Sequence, residues 1–432
     1  MGRRKKGKKK GGGGGGDGGG DEDWEVGSEA SYTSTSEAAS FFSLAGGGGG
    51  DQDEDCLLED QVLPAIAEAL YEKRAASRER ALDGLCGYLR SAYRYDELDR
   101  IRETIGTLLL RSIQKGKAKE LELAAYAVAL AVVTLGPDEN ESWQDHIRAL
   151  AQKATGAGPA RARVACARSL GVVCFVGSED ADLLEHCVSR LERLFTSQAS
   201  ELRAEAYTSL ALLLSVASVP AGSKIVARVL DYAETFADAL RDPAVEVRTA
   251  AGSALVVLRE TFGDVLDGDG DGEGDGGDLD SVVERMGRLA NAAWRTEGED
   301  GEAGDRMNKR DRQQQRRAFR ELVEAMEGKE SSSKDAKLKL KHGDVLHLET
   351  HSSRVAAGVF KSVLAAGFQV HMQTNDLLHQ IFDFEPRQEK IRLTQLEKKM
   401  LFSPNSTAKK KQTKARNKDR AVKGNALNFY ED

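Results

Sequence analysis

The stretches "ELRAEAYTSLALLL" (201–214) and "EVRTAAGSALVVL" (246–258) carry one pattern of arginine, alanine and leucine, offset by 45 residues. Apolar residues at this spacing line one face of a helix. Two copies of the same amphipathic helix therefore indicate an internal repeat. The matched positions are Leu202, Arg203, Ala206 and Leu210 in the first copy, and Val247, Arg248, Ala251 and Leu255 in the second.

The same frame recurs towards the amino terminus. It fits "ARVACARSLGVV" (162–173) well, and it fits "LELAAYAVAL" (121–130) and "RERALDGL" (78–85) more weakly. Successive anchor positions are separated by 42, 41, 40 and 45 residues, which is the period of the HEAT and armadillo classes of helical repeat. The anchors are Arg80, Glu122, Arg163, Arg203 and Arg248.

A partner helix is predicted before each anchor helix, so that each period holds one helix pair. The fold class predicted for residues 56–328 is therefore an all-α, armadillo/HEAT-like α-solenoid, interrupted by an acidic Gly/Asp insert at 264–280. Small residues such as Gly252 let paired helices approach closely. The partner helices are expected at 57–73, 97–113, 143–154, 182–196 and 224–240, with a sixth pair at 281–296 and 306–327.

The repeated arginines have two interpretations. Their guanidinium groups can brace the neighbouring repeat through a carboxylate or a backbone carbonyl, or they can line a surface for an anionic partner. Bracing is the more common role in this repeat class, and we expect it here.

Residues 336–386 differ in pattern and predict a small, mainly helical carboxy-terminal domain. "LKLKHGDVLHLET" (338–350) alternates like a hairpin, a helix follows from about residue 353 to 367, and Asn375 can cap a short helix over 376–382. His371 and His379 are eight residues apart and share no helix face, so a docking role is favoured over a metal or catalytic site. The predicted docking residues are Phe360, Phe368, His371, Met372, Asn375, Leu378 and Phe382.

Charge is distributed unevenly along the chain. The net charge is −8, yet residues 387–424 carry thirteen Lys/Arg against three Asp/Glu. Basic arms on acidic bodies usually meet polyanions, so the tail (387–432) is predicted to bind ribosome or RNA. Residues 1–55 are Gly-rich and charged and are expected to be disordered, like the tail. The predicted RNA-binding residues are Lys409, Lys410, Lys411, Lys414, Arg416, Lys418, Arg420 and Lys423.

Metal, disulfide and cofactor chemistry are not expected. The five cysteines are odd in number and have no CxxC spacing, which favours buried free thiols in a reducing compartment. Residues 267–278 nearly fit a calcium loop, but Gly274 stands at its apolar position and Asp278 replaces the long bidentate ligand, so a linker is expected. No nucleophile has a catalytic context, so no enzyme activity and no cofactor are predicted.

The chain is expected to be monomeric and to have no membrane partner. Its longest uncharged apolar run, 123–135, is shorter than the roughly 20 residues of a membrane span. The amino-terminal "MGRRKKGKKK" lacks the apolar core of a signal peptide, which favours a cytoplasmic or nuclear location.

A family resemblance is carried by "KLKHGDVLHLET" (339–350), "FKSVLAAGFQVHMQTNDLLHQIFDF" (360–384) and the basic "SPNS…KARNK" tail (403–418). Through these stretches the chain resembles a plant-like member of the interferon-related developmental regulator family. The resemblance implies an armadillo-type scaffold without enzyme activity, whose relatives act in transcriptional co-regulation with corepressors and in binding ribosomes to restrain translation. The chain departs from the family pattern at Thr350-His351, where an aromatic residue is common, and at Ala365-Ala366, which replaces a more glycine-rich turn.

Two functions follow as expectations. The first is a regulatory adaptor whose basic tail binds ribosome or RNA and restrains translation. The alternative is a nuclear co-regulator scaffold that binds corepressor proteins on the solenoid surface.

Overall fold

The computed structural model describes residues 54–137, 143–177, 181–216, 225–267, 279–291, 308–328, 336–340, 343–386 and Lys410. The predictions made for residues 1–53, for the calcium-like loop beyond Asp267 (268–278) and for the tail other than Lys410 lie outside these ranges.

Helix pairs at the predicted period make up the body, in agreement with the α-solenoid expectation. The partner helices lie close to their expected ranges, and a short helix, α3, precedes α4 where one longer helix was expected. The helices are α1 Glu54–Tyr71, α2 Ala75–Ser91, α3 Tyr95–Asp99, α4 Arg102–Lys115, α5 Ala118–Leu135, α6 Gln144–Thr155, α7 Ala160–Val176, α8 Ala181–Glu192, α9 Ser200–Leu214, α10 Val229–Ala239, α11 Val245–Asp267, α12 Leu279–Asn291 and α13 Lys309–Met326.

The helices stack in two layers. The first helices of successive pairs, α1, α4, α6 and α8, pack side by side, and each lies against its own second helix. The second helices, α2, α5, α7, α9 and α11, form the other layer, in which each packs on the next. We call this the second-helix layer. Such stacking buries one continuous apolar core, which is how a solenoid is stabilised.

The repeat frame fills that core. Leu210 and Leu255 occupy equivalent positions and are 0% and 1% exposed. At Gly252, an added Cβ would lie 2.9 Å from Leu322 Cδ1 and 3.2 Å from Phe319 Cε1, so a larger residue would have to displace these side chains where α11 meets α13. The predicted role of small residues is confirmed at this position.

The anchor arginines brace the repeats, as expected. Arg203 makes a bidentate contact with Asp242 of the next repeat (Nη2 to Oδ2, 2.8 Å) and donates to the carbonyl of Ser197. Arg248 donates to the carbonyl of Pro243, 2.8 Å away. Arg80 is exposed and contacts only its own helix, so the anchor in the first repeat was placed wrongly.

Arg78 performs the bracing role in the first repeat. It donates to the carbonyl of Lys73 (2.8 Å) and to Glu120 of the next repeat (Nε to Oε1, 2.7 Å). The repeat frame therefore begins two residues earlier than the sequence pattern indicated. Arginines occur at both positions of "RER" (78–80), so the pattern alone does not separate them.

The expectation of free thiols is wrong at one pair. Cys174 and Cys187 form a disulfide that joins α7 to α8. These consecutive helices pack against each other, and that packing brings together two thiols whose spacing matches no motif. Cys86 and Cys166 are free and buried, as expected, and burial raises the pKa of each thiol, to about 11 and about 12.

The carboxy-terminal elements follow the predicted order. Strands β1 (Lys337–Lys339) and β2 (Val345–His347) form an antiparallel hairpin, and Gly343 near the turn has φ +82°. Helices α14 (His351–Leu364), α15 (Phe368–Thr374) and α16 (Asp376–Phe382) follow. Asn375 caps α16, as predicted, by accepting from the amides of Leu377 and Leu378. Helix α15 was not anticipated.

Residues 351–384, which we call the C-terminal segment, pack on the solenoid. Helix α14 contacts α5, α7, α9 and α11, and α15 contacts α2. The segment thus crosses the second-helix layer from the last repeats to the first. By length and composition His351–Thr374 could cross a membrane, but 56% of its most apolar window is buried in the protein, as in a core helix.

Candidate functional site

The predicted docking residues are buried against the chain's own repeats. Phe360 packs edge-to-face on Phe175 of α7, with ring centroids 5.7 Å apart, and Phe382 packs in the same way on both Phe360 and Phe368. Their role in binding a partner protein stays a prediction. The buried docking residues are Phe360, Phe368, His371, Met372, Asn375, Leu378 and Phe382.

Polar anchors fix the segment to the ends of solenoid helices. His371 Nε2 donates to the carbonyl of Leu89, in the last turn of α2, at 2.8 Å. Asn375 Nδ2 donates to the carbonyl of Val133, in the last turn of α5, at 2.9 Å. Arg90 returns a bond from α2 to the carbonyl of Val363, also 2.8 Å. Carbonyls in a last turn have no partner within their helix, so these bonds satisfy groups that would otherwise be orphaned.

Close backbone contact accompanies these bonds. A Cβ built on Gly367 would lie 1.9 Å from the carbonyl oxygen of Arg90, so only glycine fits here. Two residues earlier, Ala365 has φ +50°, a conformation that L side chains rarely adopt. The turn between α14 and α15 thus holds an alanine in a backbone conformation that favours glycine.

Glu260 of α11 holds the other end of the segment. Its carboxylate accepts from the amides of His351 and Ser352, at 2.6 and 2.8 Å. An acidic group at a helix amino terminus satisfies free N–H groups and complements the helix dipole. Thr350 Oγ1 caps the same turn by accepting from the amide of Ser353.

His351 is the first residue of α14. Its Nε2 lies 2.6 Å from Ser253 Oγ of α11. Burial, together with the positive charge of Arg354, lowers the pKa of His351 to about 3, so the ring is neutral at physiological pH. Burial likewise lowers the pKa of His371, although its bond to the Leu89 carbonyl acts in the opposite direction. Both histidines act as neutral hydrogen-bonding groups.

A cleft of about 380 Å³ remains between α14 and the repeats, with Arg168 and Glu205 in its wall. Arg168 donates to both carboxylate oxygens of Glu205 and to the hydroxyl of Tyr126, which links α5, α7 and α9. Burial opposes the charge of Arg168, but the Glu205 carboxylate holds its pKa above the ordinary value. The guanidinium is thus committed to holding the layer together.

A second cleft, of about 600 Å³, opens where the chain leaves α16 towards the basic tail. Four carboxylate residues, Asp344, Glu349, Asp383 and Glu385, are among those lining it. Of the eight predicted RNA-binding residues, Lys410 is exposed and the other seven lie outside the described ranges. Within those ranges, no group of three or more His, Cys, Asp or Glu side chains could hold a metal ion.

Sequence reasoning missed Arg90, Gly367 and Glu260 as contacts of the C-terminal segment. Gly367 carried one signal, because it stands at the end of a predicted helix. Arg90 and Glu260 carried none, since a single charged residue on an amphipathic helix is ordinary.

Two protein-family models match this chain. The family model described as "Interferon-related developmental regulator (IFRD)" matches residues 29–327, and the "Interferon-related protein conserved region" matches residues 375–423. The second match begins at the Asn375 anchor and includes all eight predicted RNA-binding residues.

Curated relatives match along most of their length. Interferon-related developmental regulator 2 of Mus musculus is 30% identical over 85% of this chain and 83% of its own. Interferon-related developmental regulator 1 of Mus musculus and of Homo sapiens are 26% and 25% identical, over 87% and 88% of this chain and 84% of their own. These relatives are mammalian, so they lend no support to a plant-like character. The matched family model and the 30% identity together show that the chain belongs to the interferon-related developmental regulator family.

Proposed function

We propose that this chain is a non-enzymatic regulatory adaptor that binds the ribosome through RNA contacts of its basic tail and so restrains translation. The observation that carries the proposal is the charge of the tail, thirteen Lys/Arg against three Asp/Glu over residues 387–424. A polycation gains affinity for RNA by releasing the counterions condensed on the phosphates.

The arrangement of the C-terminal segment supports a tethered tail. The conserved-region match (375–423) joins the anchored helix α16 to the basic residues in one unit. Asn375 bonds to the carbonyl of Val133, and Leu378 and Phe382 are buried, so the base of the tail is held by the solenoid. A tail fixed at its base carries the whole acidic body to the RNA that it binds. That added bulk is the means by which an adaptor excludes other factors.

In this proposal the tail binds RNA and the solenoid binds proteins. The protein acts as a monomer in the cytoplasm, the nucleus or both. Protein partners bind the solenoid surface outside the area that the C-terminal segment covers. In the rival function, a nuclear co-regulator scaffold, those protein contacts dominate and the basic ends serve import.

Sedimentation of cell extract through a sucrose gradient, with and without ribonuclease, tests the proposal. We expect the full-length protein to co-sediment with ribosomes, and the variant with Lys409, Lys410, Lys411, Lys414 and Arg416 changed to Gln to leave those fractions. The matched control removes the same charge from the amino-terminal run, by changing Arg3, Arg4, Lys5, Lys6 and Lys8 to Gln.

Salt dependence gives a second readout. With six to eight phosphates engaged, log affinity plotted against log salt should have a slope of roughly −4 to −6, and the tail variant should lose about 3.5 of it, at about 0.7 per phosphate. A tail variant that co-sediments at wild-type strength, with the wild-type slope, overturns the proposal and favours the co-regulator scaffold.

A further inference from the structure

One edge of the solenoid concentrates positive charge on the acidic body. The turns between the first and second helices of the first three pairs carry exposed basic side chains, and Glu72 is the one carboxylate in residues 72–74, 115–119 and 155–161. We call this surface the basic edge. Its exposed members are Lys73, Arg74, Lys115, Lys117, Lys119 and Arg161.

Contacts between repeats show that these turns are neighbours in space. Arg78, beside the first turn, pairs with Glu120, beside the second. Lys153 Nζ, before the third turn, donates to the carbonyl of Gln114, before the second, at 2.8 Å. Arg161 pairs with Glu122, at 2.8 Å between Nε and Oε1. The three turns therefore form one continuous strip.

Nearby carboxylates neutralise only part of the strip. Glu120 is buried and committed to Arg78, and Glu122 is mostly buried, with Arg161 as its partner. In the fifth turn, Arg241 likewise pairs with Asp238, 2.9 Å away. The excess positive charge of the basic edge therefore comes mainly from the exposed lysines and arginine of the first two turns, Lys73, Arg74, Lys115, Lys117 and Lys119.

We propose that the basic edge is a second phosphate-binding surface, which holds single-stranded RNA by its backbone independently of the tail. Neighbouring helices in such an array lie about 8–10 Å apart, so the strip presents cations in steps that a flexible strand can follow. Basic side chains outnumber aromatic ones here, since exposed Tyr71 at the end of α1 is the one aromatic residue adjoining these turns, which favours contact with phosphates over stacking of bases. Binding is therefore insensitive to base sequence.

The test uses the full-length protein that already carries the five tail substitutions, so that the tail does not mask the edge. The probe is a fluorescent oligouridine RNA, and binding is titrated at several salt concentrations. We expect residual binding to which the edge contributes a slope near −3, the value for four or five phosphates at about −0.7 each. Adding Lys73→Gln, Arg74→Gln, Lys115→Gln, Lys117→Gln and Lys119→Gln should lower the affinity at low salt about tenfold or more and remove about 3 of the slope, leaving the part that the remaining tail cations contribute.

A charge-matched control separates a local surface from net charge. In the same background, five exposed basic residues elsewhere are changed to Gln: Arg148, Arg288, Lys309, Arg310 and Arg320. This control should keep the residual binding. An equal loss in both variants, or no loss in the edge variant, overturns the proposal. Unchanged melting temperatures confirm that the folded body is being compared, because all the substituted side chains of the edge are exposed.

Two further outcomes are decisive. If polyglutamate binds the edge and oligouridine does not, the surface serves an acidic protein segment and the RNA assignment is wrong. If the tail substitutions alone leave RNA binding of the wild-type protein unchanged, the proposed function of the tail fails, while the edge is still judged by its own variant and control.

Discussion

Asn375 Nδ2 donates to the carbonyl of Val133 across 2.9 Å, although 242 residues separate the two in sequence. The Asn375 side chain has two roles, because its oxygen also caps α16. In most solenoids each repeat contacts only its neighbours. Here a single side chain links the end of the second pair to α16.

Replacing Asn375 with Ala should destabilise the protein by about 2–4 kcal/mol, because it leaves the Val133 carbonyl buried without this donor and removes the cap of α16. The free energy of unfolding in urea measures the loss. Gln380→Ala, an exposed change on the same helix, is the control and should cost under about 0.5 kcal/mol. Equal stabilities for the two variants would contradict the anchoring role.

Gly367→Ala should prevent the C-terminal segment from packing, because the new Cβ would lie 1.9 Å from the carbonyl oxygen of Arg90. We expect a loss of about 3 kcal/mol or more, with amide exchange increased at the end of α2. Gly358→Ala in α14 is the matched control, since nothing lies within 4 Å of its added Cβ. If the amides at the end of α2 stay protected from exchange in the Gly367 variant, the C-terminal segment still packs there and the prediction is wrong.

Ala365→Gly should stabilise the protein by about 1 kcal/mol, because glycine adopts the φ of +50° without the strain that alanine suffers. The adjacent Ala366→Gly has no such strain to relieve and should be neutral or mildly destabilising. Thermal unfolding of both variants separates the two effects. A lower melting temperature for Ala365→Gly would refute the strain argument.

The stability of the protein should fall as the pH drops from about 6.5 towards 3, in part because of His351. Its folded pKa is lowered to about 3, so below the ordinary value near 6.5 the unfolded chain binds a proton that the folded chain does not. The contribution is at most about 1.4 kcal/mol per pH unit. His351→Gln should flatten this part of the stability curve, whereas His347→Gln, on the exposed side of β2, should leave it unchanged.

Much of the architecture could be predicted because it depends on patterns between residues that are close in sequence. The apolar frame around Leu210 and Leu255 recurs at a fixed period, and a helix that buries one face must keep that frame. Asn375 as the cap of α16 was equally local, since cap and helix lie side by side in sequence. The shift from Arg80 to Arg78 shows the limit of such a pattern, because two arginines of one helix satisfied it equally well.

The seating of the C-terminal segment could not be predicted in this way. His371 and Asn375 bond to backbone carbonyls, which every residue has, so nothing in the sequence around Leu89 or Val133 marks them as partners. The Cys174–Cys187 disulfide is similar, because its pairing follows from how α7 and α8 pack and not from a spacing motif.

The bond from Asn375 to Val133 also sets an order of events during synthesis. Domains fold from the amino terminus as the chain emerges at roughly 5–20 residues per second, so the end of α5 waits roughly 10–50 s for the residue that caps it. During that interval the second-helix layer is exposed to chaperones and to other nascent chains. A message truncated before codon 351 would yield repeats whose second-helix layer stays uncovered. Such a product would be a target for proteolytic quality control.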